Sequence, residues 1–207
     1  MPREIIDGPV GSLELIIESP ANWADTDPIA ICCHPHPLHG GSMQNKVVHI
    51  LAKTFLSLNA KVVRFNFRGV GKSSGEFADG IGEREDLYAV TDWVKRQWPQ
   101  APLWLAGFSF GASVSIFCHE KINPQRLVLV APPVDMYPAI KNVAIQTKEW
   151  LLVQGGQDEI VSSDAVLEWA NQQKHPPRLI HLQDTGHFFH GQLNVVKERI
   201  LAIWNER

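Results

Sequence analysis

Cysteine is scarce in this chain of 207 residues: there are three, an odd number, and two of them, Cys32 and Cys33, are adjacent. That pattern excludes the disulfide framework that staples small secreted domains. Long apolar runs are missing as well, since none approaches the roughly 18 residues that a transmembrane helix needs. The stretch MPREIIDGPV places charges where a secretion signal would carry an apolar core, so no signal is expected. An excess of one charge is also absent. A net charge of −3 gives no footprint for nucleic acid or an anionic membrane. No repeat, low-complexity tract or Pro/Gly/Ser linker divides the sequence, so residues 1–207 are expected to form one domain around one core. The expectation is a reduced, cytoplasmic protein without nucleic-acid or membrane partners, and no sequence feature speaks to its oligomeric state.

What is present is alternation. The opening EIIDGPVGSLELIIES alternates apolar and polar residues around a Gly-Pro turn, which predicts an antiparallel hairpin. Beyond Pro28 come short continuous apolar runs: IAICC, KVVRFNF, PLWLAG, RLVLV, WLLVQG and RLIHL. Such runs suit strands covered on both faces. Between them lie helical faces: Val47, Ile50, Leu51, Phe55 and Leu58; Leu87, Val90, Val94 and Trp98; Leu193, Val196, Ile200 and Ile203. Strand–helix alternation predicts an α/β fold, a mostly parallel sheet with helices on both faces. Ligands in such sheets bind beyond the carboxyl ends of the strands.

The residues just past the strands carry chemistry. PLWLA leads into GFSFGAS, placing Ser109 in Gly-x-Ser-x-Gly between a strand and a helix. This is the pattern of a nucleophile elbow, in which a sharp turn holds the serine in strained backbone and lifts its hydroxyl above the sheet. Gly107 and Gly111 flank it, since side chains there would collide across the bend. A serine hydroxyl needs a base, and the base needs an orienting group. WLLVQG is followed by Asp158 and RLIHL by His187. Asp158 is expected to hold one ring nitrogen of His187 while the other takes the Ser109 proton. Three competitors stand beside these: Glu159 next to Asp158, Asp135 past RLVLV, and His190, read as lying within or at the start of the last helix.

The ordered Ser, Asp and His, with the blocks HPHPLHGGSMQNKVV, VRFNFRGVGKSSGE, LAGFSFGA, VQGGQDEIV and GHFFHG, resemble the α/β-hydrolase superfamily. Within it the chain is similar to the small, lidless bacterial hydrolases related to dienelactone hydrolases and prolyl-oligopeptidase-type domains. The resemblance implies a serine hydrolase acting on an ester or related acyl bond, thioesters included, through an acyl-enzyme on Ser109 and without a cofactor. It also implies that the loop after IAICC supplies one backbone N–H of an oxyanion hole and the residue after the nucleophile, Phe110, the other. In HPHPLHGG, Pro35 and Pro37 stiffen the loop but cannot donate. The N–H of Leu38 is the first choice, His39 the second and His36 the third, with Gly40 and Gly41 turning the chain into a helix from near Ser42.

The same loop invites a zinc reading. Cys32 and Cys33 are neighbours on a strand and point to opposite faces, and no remote Cys-x-x-Cys or His-x-x-x-His completes a site, so no metal is expected. GVGKSSG fits a phosphate-binding loop only superficially, because Asn66 stands where that motif needs glycine. The segment resembles instead the Arg-Gly-x-Gly-x-Ser loop of α/β-hydrolases, and that resemblance implies structural roles for Arg68 and Ser73. The segment APPVDMYPAIKNVAIQTKE has room for one short helix and no lid, which leaves an open site for a small or soluble acyl substrate. His36, Leu38, His39, Phe108, Phe110, Met136 and Phe188 are candidates to line it. Two other readings remain at this stage: a non-catalytic member that binds a ligand or partner, and a peptidase, whose gating domain has no counterpart here.

Overall fold

The computed structural model describes residues 3–205. Its centre is an eight-stranded sheet in the order β1-β2-β4-β3-β5-β6-β7-β8. The opening alternation is a hairpin: β1 (Arg3–Gly8) pairs antiparallel with β2 (Gly11–Glu18), and Pro9 and Val10 form the turn. β2 pairs antiparallel with β4 (Lys61–Phe65). Every later pairing is parallel, through β3 (Ile29–Cys33), β5 (Leu103–Phe108), β6 (Arg126–Val130), β7 (Glu149–Gly155) and β8 (Arg178–Leu182).

Each continuous apolar run is thus a strand, because helices cover both faces of the sheet. On one face Leu87, Val90 and Val94 of α2 (Ile81–Gln97), Val114 and Ile116 of α3 (Phe110–Ile122) and Trp169 of α4 (Ser163–Asn171) join the core. On the other face α1 (Lys46–Ser57) and α5 (Leu193–Asn205) bring Val47, Leu51, Phe55, Val196 and Ile200. Cys33 belongs to the first core and Cys32 to the second, as the strand's alternation requires. β8 departs from the covered pattern: it is an edge strand, and Leu179 is exposed there.

Two boundaries differ from the sequence reading. α1 begins at Lys46, not near Ser42, because Asn45 is the better cap. Its side-chain oxygen accepts the N–H groups of Val47 and Val48 at 2.8 and 3.4 Å. α5 begins at Leu193, which leaves His190 in the preceding turn. Between β6 and β7 the only regular element among the described residues is a 3-10 turn at Pro138–Asn142.

The Arg-Gly-x-Gly-x-Ser loop after β4 is held by a buried polar network. The Arg68 guanidinium and backbone N–H both donate to Asp86 of α2, at 2.8–3.1 Å and 2.9 Å. The Ser73 hydroxyl donates to the Asn66 carbonyl at 2.7 Å and accepts the Glu14 N–H at 3.0 Å. These bonds fix the loop to the hairpin and to α2, so Arg68 and Ser73 are spent on structure.

Candidate active site

Ser109 sits between β5 and α3 with φ 54° and ψ −118°, a backbone conformation that few non-glycine residues adopt. Close packing makes the turn possible. A Cβ on Gly107 would lie 2.2 Å from the Gly111 carbonyl oxygen, and one on Gly111 would lie 2.4 Å from that of Cys33. The Ser109 N–H is anchored on the Val130 carbonyl at 2.8 Å. In this position the hydroxyl is half-buried and faces His187.

The loops after β5, β7 and β8 converge. His187 Nε2 lies 3.1 Å from Ser109 Oγ, and His187 Nδ1 lies 2.8 and 3.0 Å from the two oxygens of Asp158. Both Asp158 and His187 are buried. Burial alone would oppose ionisation of Asp158. Hydrogen bonds from His187 and from the N–H groups of Val161 and Ile160 outweigh it and hold the carboxyl below its usual range. Phe108 and Phe188 pack on the imidazole at 5.0 and 5.1 Å between ring centroids.

The competitors go elsewhere. Glu159 accepts the backbone N–H of His187 at 3.1 Å and so positions the loop without touching the ring. Asp135 caps its own turn and accepts the Ser162 N–H. His190 is exposed and lies against Phe188 at 5.9 Å. One participant escaped the sequence reading. Gln154, fully buried on β7, donates from Nε2 to Asp158 Oδ2 and to the Gly155 carbonyl, both at 3.1 Å. Its signal was available, since it is a lone polar side chain in an apolar strand run.

In the loop after β3 the two N–H groups ranked first as oxyanion donors both have partners. The Leu38 N–H donates to His36 Nδ1 at 3.3 Å, and the His39 N–H donates to the His36 carbonyl at 3.1 Å. Both preferred donors are spent inside the loop, because the chain turns back on His36 there. Among the described residues the His36 N–H has no protein acceptor, nor does that of Phe110 at the start of α3. The His36 ring is fixed by stacking on His39 at 4.5 Å and by contact with Phe110 at 5.0 Å. Of the proposed pocket residues, Phe188 and Met136 are exposed and His39 presents its ring at the surface. Phe108 is completely buried and backs the imidazole, which removes it from any substrate surface.

No group of three or more His, Cys, Asp and Glu among the described residues could hold a metal ion. His34 is instead a structural pin: its Nδ1 meets the Pro35 carbonyl at 2.6 Å and its Nε2 accepts the Phe67 N–H at 3.1 Å. Burial lowers its pKa from 6.5 to about 4, and protonating Nε2 would also break the bond to Phe67. Unfolded His34 takes up a proton below pH ~6.5, while the folded residue stays neutral until about pH 4. Stability therefore falls as the pH drops through that window. Urea denaturation of wild type at pH 7.5 and pH 5 is expected to show about 2 kcal/mol of loss from this group. In His34→Gln the loss between the two pH values should be smaller by that amount. Parallel losses would remove His34 as the cause.

The fold agrees with those of known proteins. Residues 36–151, more than half of the chain, match a family model described as "Serine aminopeptidase, S33". A serine hydrolase without a lid from Xanthomonas campestris superposes with a TM-score of 0.92 at 42% identity, covering 97% of this chain and 92% of that one. A serine hydrolase homologue from Coxiella burnetii gives 0.92 at 45% identity, covering 97% and 96%. An uncharacterized protein from Rickettsia prowazekii is 36% identical over 185 residues, 84% of this chain and 76% of its own length. With an elbow at the end of β5 and this sheet order, the chain belongs to the α/β-hydrolase superfamily, among its small lidless bacterial hydrolases.

Proposed function

We propose that this hydrolase cleaves a carboxylic ester or related acyl bond, thioesters included, of a small soluble substrate through an acyl-enzyme on Ser109. The observation that carries the reading is the unbroken hydrogen-bonded line from Ser109 Oγ through His187 to Asp158, at 3.1 and 2.8 Å. His187 Nε2 takes the Ser109 proton as Oγ attacks the acyl carbon. Asp158 keeps the other proton on Nδ1 and stabilises the imidazolium that forms. The carbonyl oxygen, now an anion, is received by the N–H groups of Phe110 and His36, one at the start of α3 and one in the loop packed against it. The tetrahedral intermediate collapses, His187 returns its proton to the departing alcohol or thiol, and water repeats the sequence to release the acid.

The family description names an aminopeptidase, which makes amide cleavage the second reading. A peptide's terminal ammonium needs a carboxylate to receive it. The cavities that adjoin Phe188 and α1 are lined by lysine and histidine and by no acidic residue, which favours esters.

A fluorophosphonate tests the nucleophile. It is expected to label wild type at Ser109 with one equivalent and to leave Ser109→Ala unlabelled, read by peptide mass spectrometry. Labelling of a different serine would overturn the assignment, and a wild type that resists labelling would point to a binding protein that keeps only the fold.

A further inference from the structure

Two cavities beside the His187 loop are unused by the steps above. One, of about 360 Å³, runs from Phe188 and His190 to Ser42, Gln44 and Lys46. The other, of about 550 Å³, continues past Gln44 and Lys46 to His49, Ile50 and Lys53. The two share Gln44 and Lys46 and so form one groove, which starts at the Phe188 ring that stands edge-on to His187.

The chemistry of that groove is one-sided. Lys46, His49, Ile50 and Lys53 follow helical spacing along one face of α1. No Asp or Glu lines either cavity, although the chain as a whole carries a net charge of −3. Among the described residues neither lysine enters an ion pair; the nearby Glu18 is held by Arg64 at 2.8 Å. Helix stability does not explain Lys46. It is the first residue of α1, where the helix dipole disfavours a cation, and the first turn carries no acid to offset it. Burial, Arg64 and Lys53 lower the pKa of His49, so it serves as a neutral hydrogen-bonding group between the two ammonium groups.

We propose that this groove binds an anionic group, a carboxylate or a phosphate, at the end of the substrate remote from the scissile bond. Lys46 and Lys53 supply the charge, and Gln44 and His49 supply hydrogen bonds. The inference rests on the hydrolase reading above and adds its substrate class. The groove is open to water, so each ion pair is modest, and two of them give a preference on the order of tenfold.

Paired 4-nitrophenyl esters test it: the monoester of octanedioic acid against its mixed methyl ester, and a phosphate-ended acyl ester against its dimethyl phosphate counterpart. At least one anionic ester is expected to exceed its neutral partner about tenfold in kcat/KM, with the difference in KM. Whichever pair shows it names the anion. In the double variant Lys46→Glu/Lys53→Glu the anionic-to-neutral ratio should fall to one or below, and in wild type it should shrink in 0.5 M salt as screening shortens to roughly 4 Å. Calorimetric binding of the same pairs to Ser109→Ala, with and without the lysine changes, reads the groove independently of turnover. Equal kcat/KM within both pairs, with Ser109 still labelled by fluorophosphonate, would overturn the inference and spare the hydrolase reading. Absent turnover with a lysine-dependent preference in binding would do the reverse, and absence of that preference in binding would refute the groove.

Discussion

Replacing His187 by alanine should lower kcat on any accepted ester by several orders of magnitude, up to about a million-fold, while His190→Ala keeps most of the activity. The two histidines lie three positions apart, and both follow β8, yet they occupy different environments. His187 is buried between Asp158 and Ser109, with both ring nitrogens in hydrogen bonds that a proton relay can use. His190 lies in the exposed turn before α5, against Phe188. Among the described residues the Ser109 hydroxyl has no hydrogen-bond partner besides this imidazole, and without it the hydroxyl at neutral pH is a poor nucleophile. Steady-state kinetics on one ester with all three proteins decides the matter. Loss of the same size in His190→Ala, with His187→Ala still active, would move the base to His190.

Why this site was readable in the sequence, and where reading stopped, follows from what each signal depends on. The strands were legible because burial on both faces leaves no polar alternation, so IAICC and RLVLV stand out as continuous runs. RLIHL was read the same way, although its edge position leaves Leu179 exposed; sheet order, which decides that, is not written in the run itself. α4 escaped because nine residues, with Val166, Trp169 and Ala170 buried, give too short a window for helical periodicity. Ser109, Asp158 and His187, which the structure brings together, were singled out because each follows a strand and each residue type has one chemical use in that order. The oxyanion donor could only be ranked, Leu38 first and His36 third, since all non-proline residues in HPHPLHGG carry an N–H. Which of them is left over depends on a side-chain rotamer, the His36 ring turning back to accept from Leu38. The cationic face of α1 was on the page as Lys46, His49 and Lys53, but its meaning needed the neighbouring turn at Phe188 and His190 to form the groove.

Asp158→Asn should cost roughly ten-thousand-fold in kcat, by imposing the wrong tautomer on His187. The environment decides how the new amide sits. Asp158 Oδ1 accepts the N–H groups of Ile160 and Val161 at 3.0 and 2.8 Å, and these backbone donors cannot turn away. The amide oxygen must therefore take that position, since an NH2 group there would face the part-buried Val161 N–H and the exposed Ile160 N–H and leave both bonds unmade. The amide nitrogen then occupies the place of Oδ2, toward His187 Nδ1 and Gln154 Nε2. Gln154 resists a flip, because its Nε2 also donates to the Gly155 carbonyl and the flipped oxygen would confront that oxygen. The amide nitrogen stands at the shorter of the two contacts of His187 Nδ1, 2.8 Å against 3.0 Å to Oδ1, and the imidazole answers it by moving its proton to Nε2. Its Nδ1 then accepts from the asparagine, and Nε2 donates to Ser109 and can no longer receive its proton. Fluorophosphonate labelling should slow in parallel with ester hydrolysis, while the melting temperature stays within a few degrees of wild type. Retention of more than a tenth of the wild-type kcat in a fully folded variant would show that Asp158 does not set the tautomer.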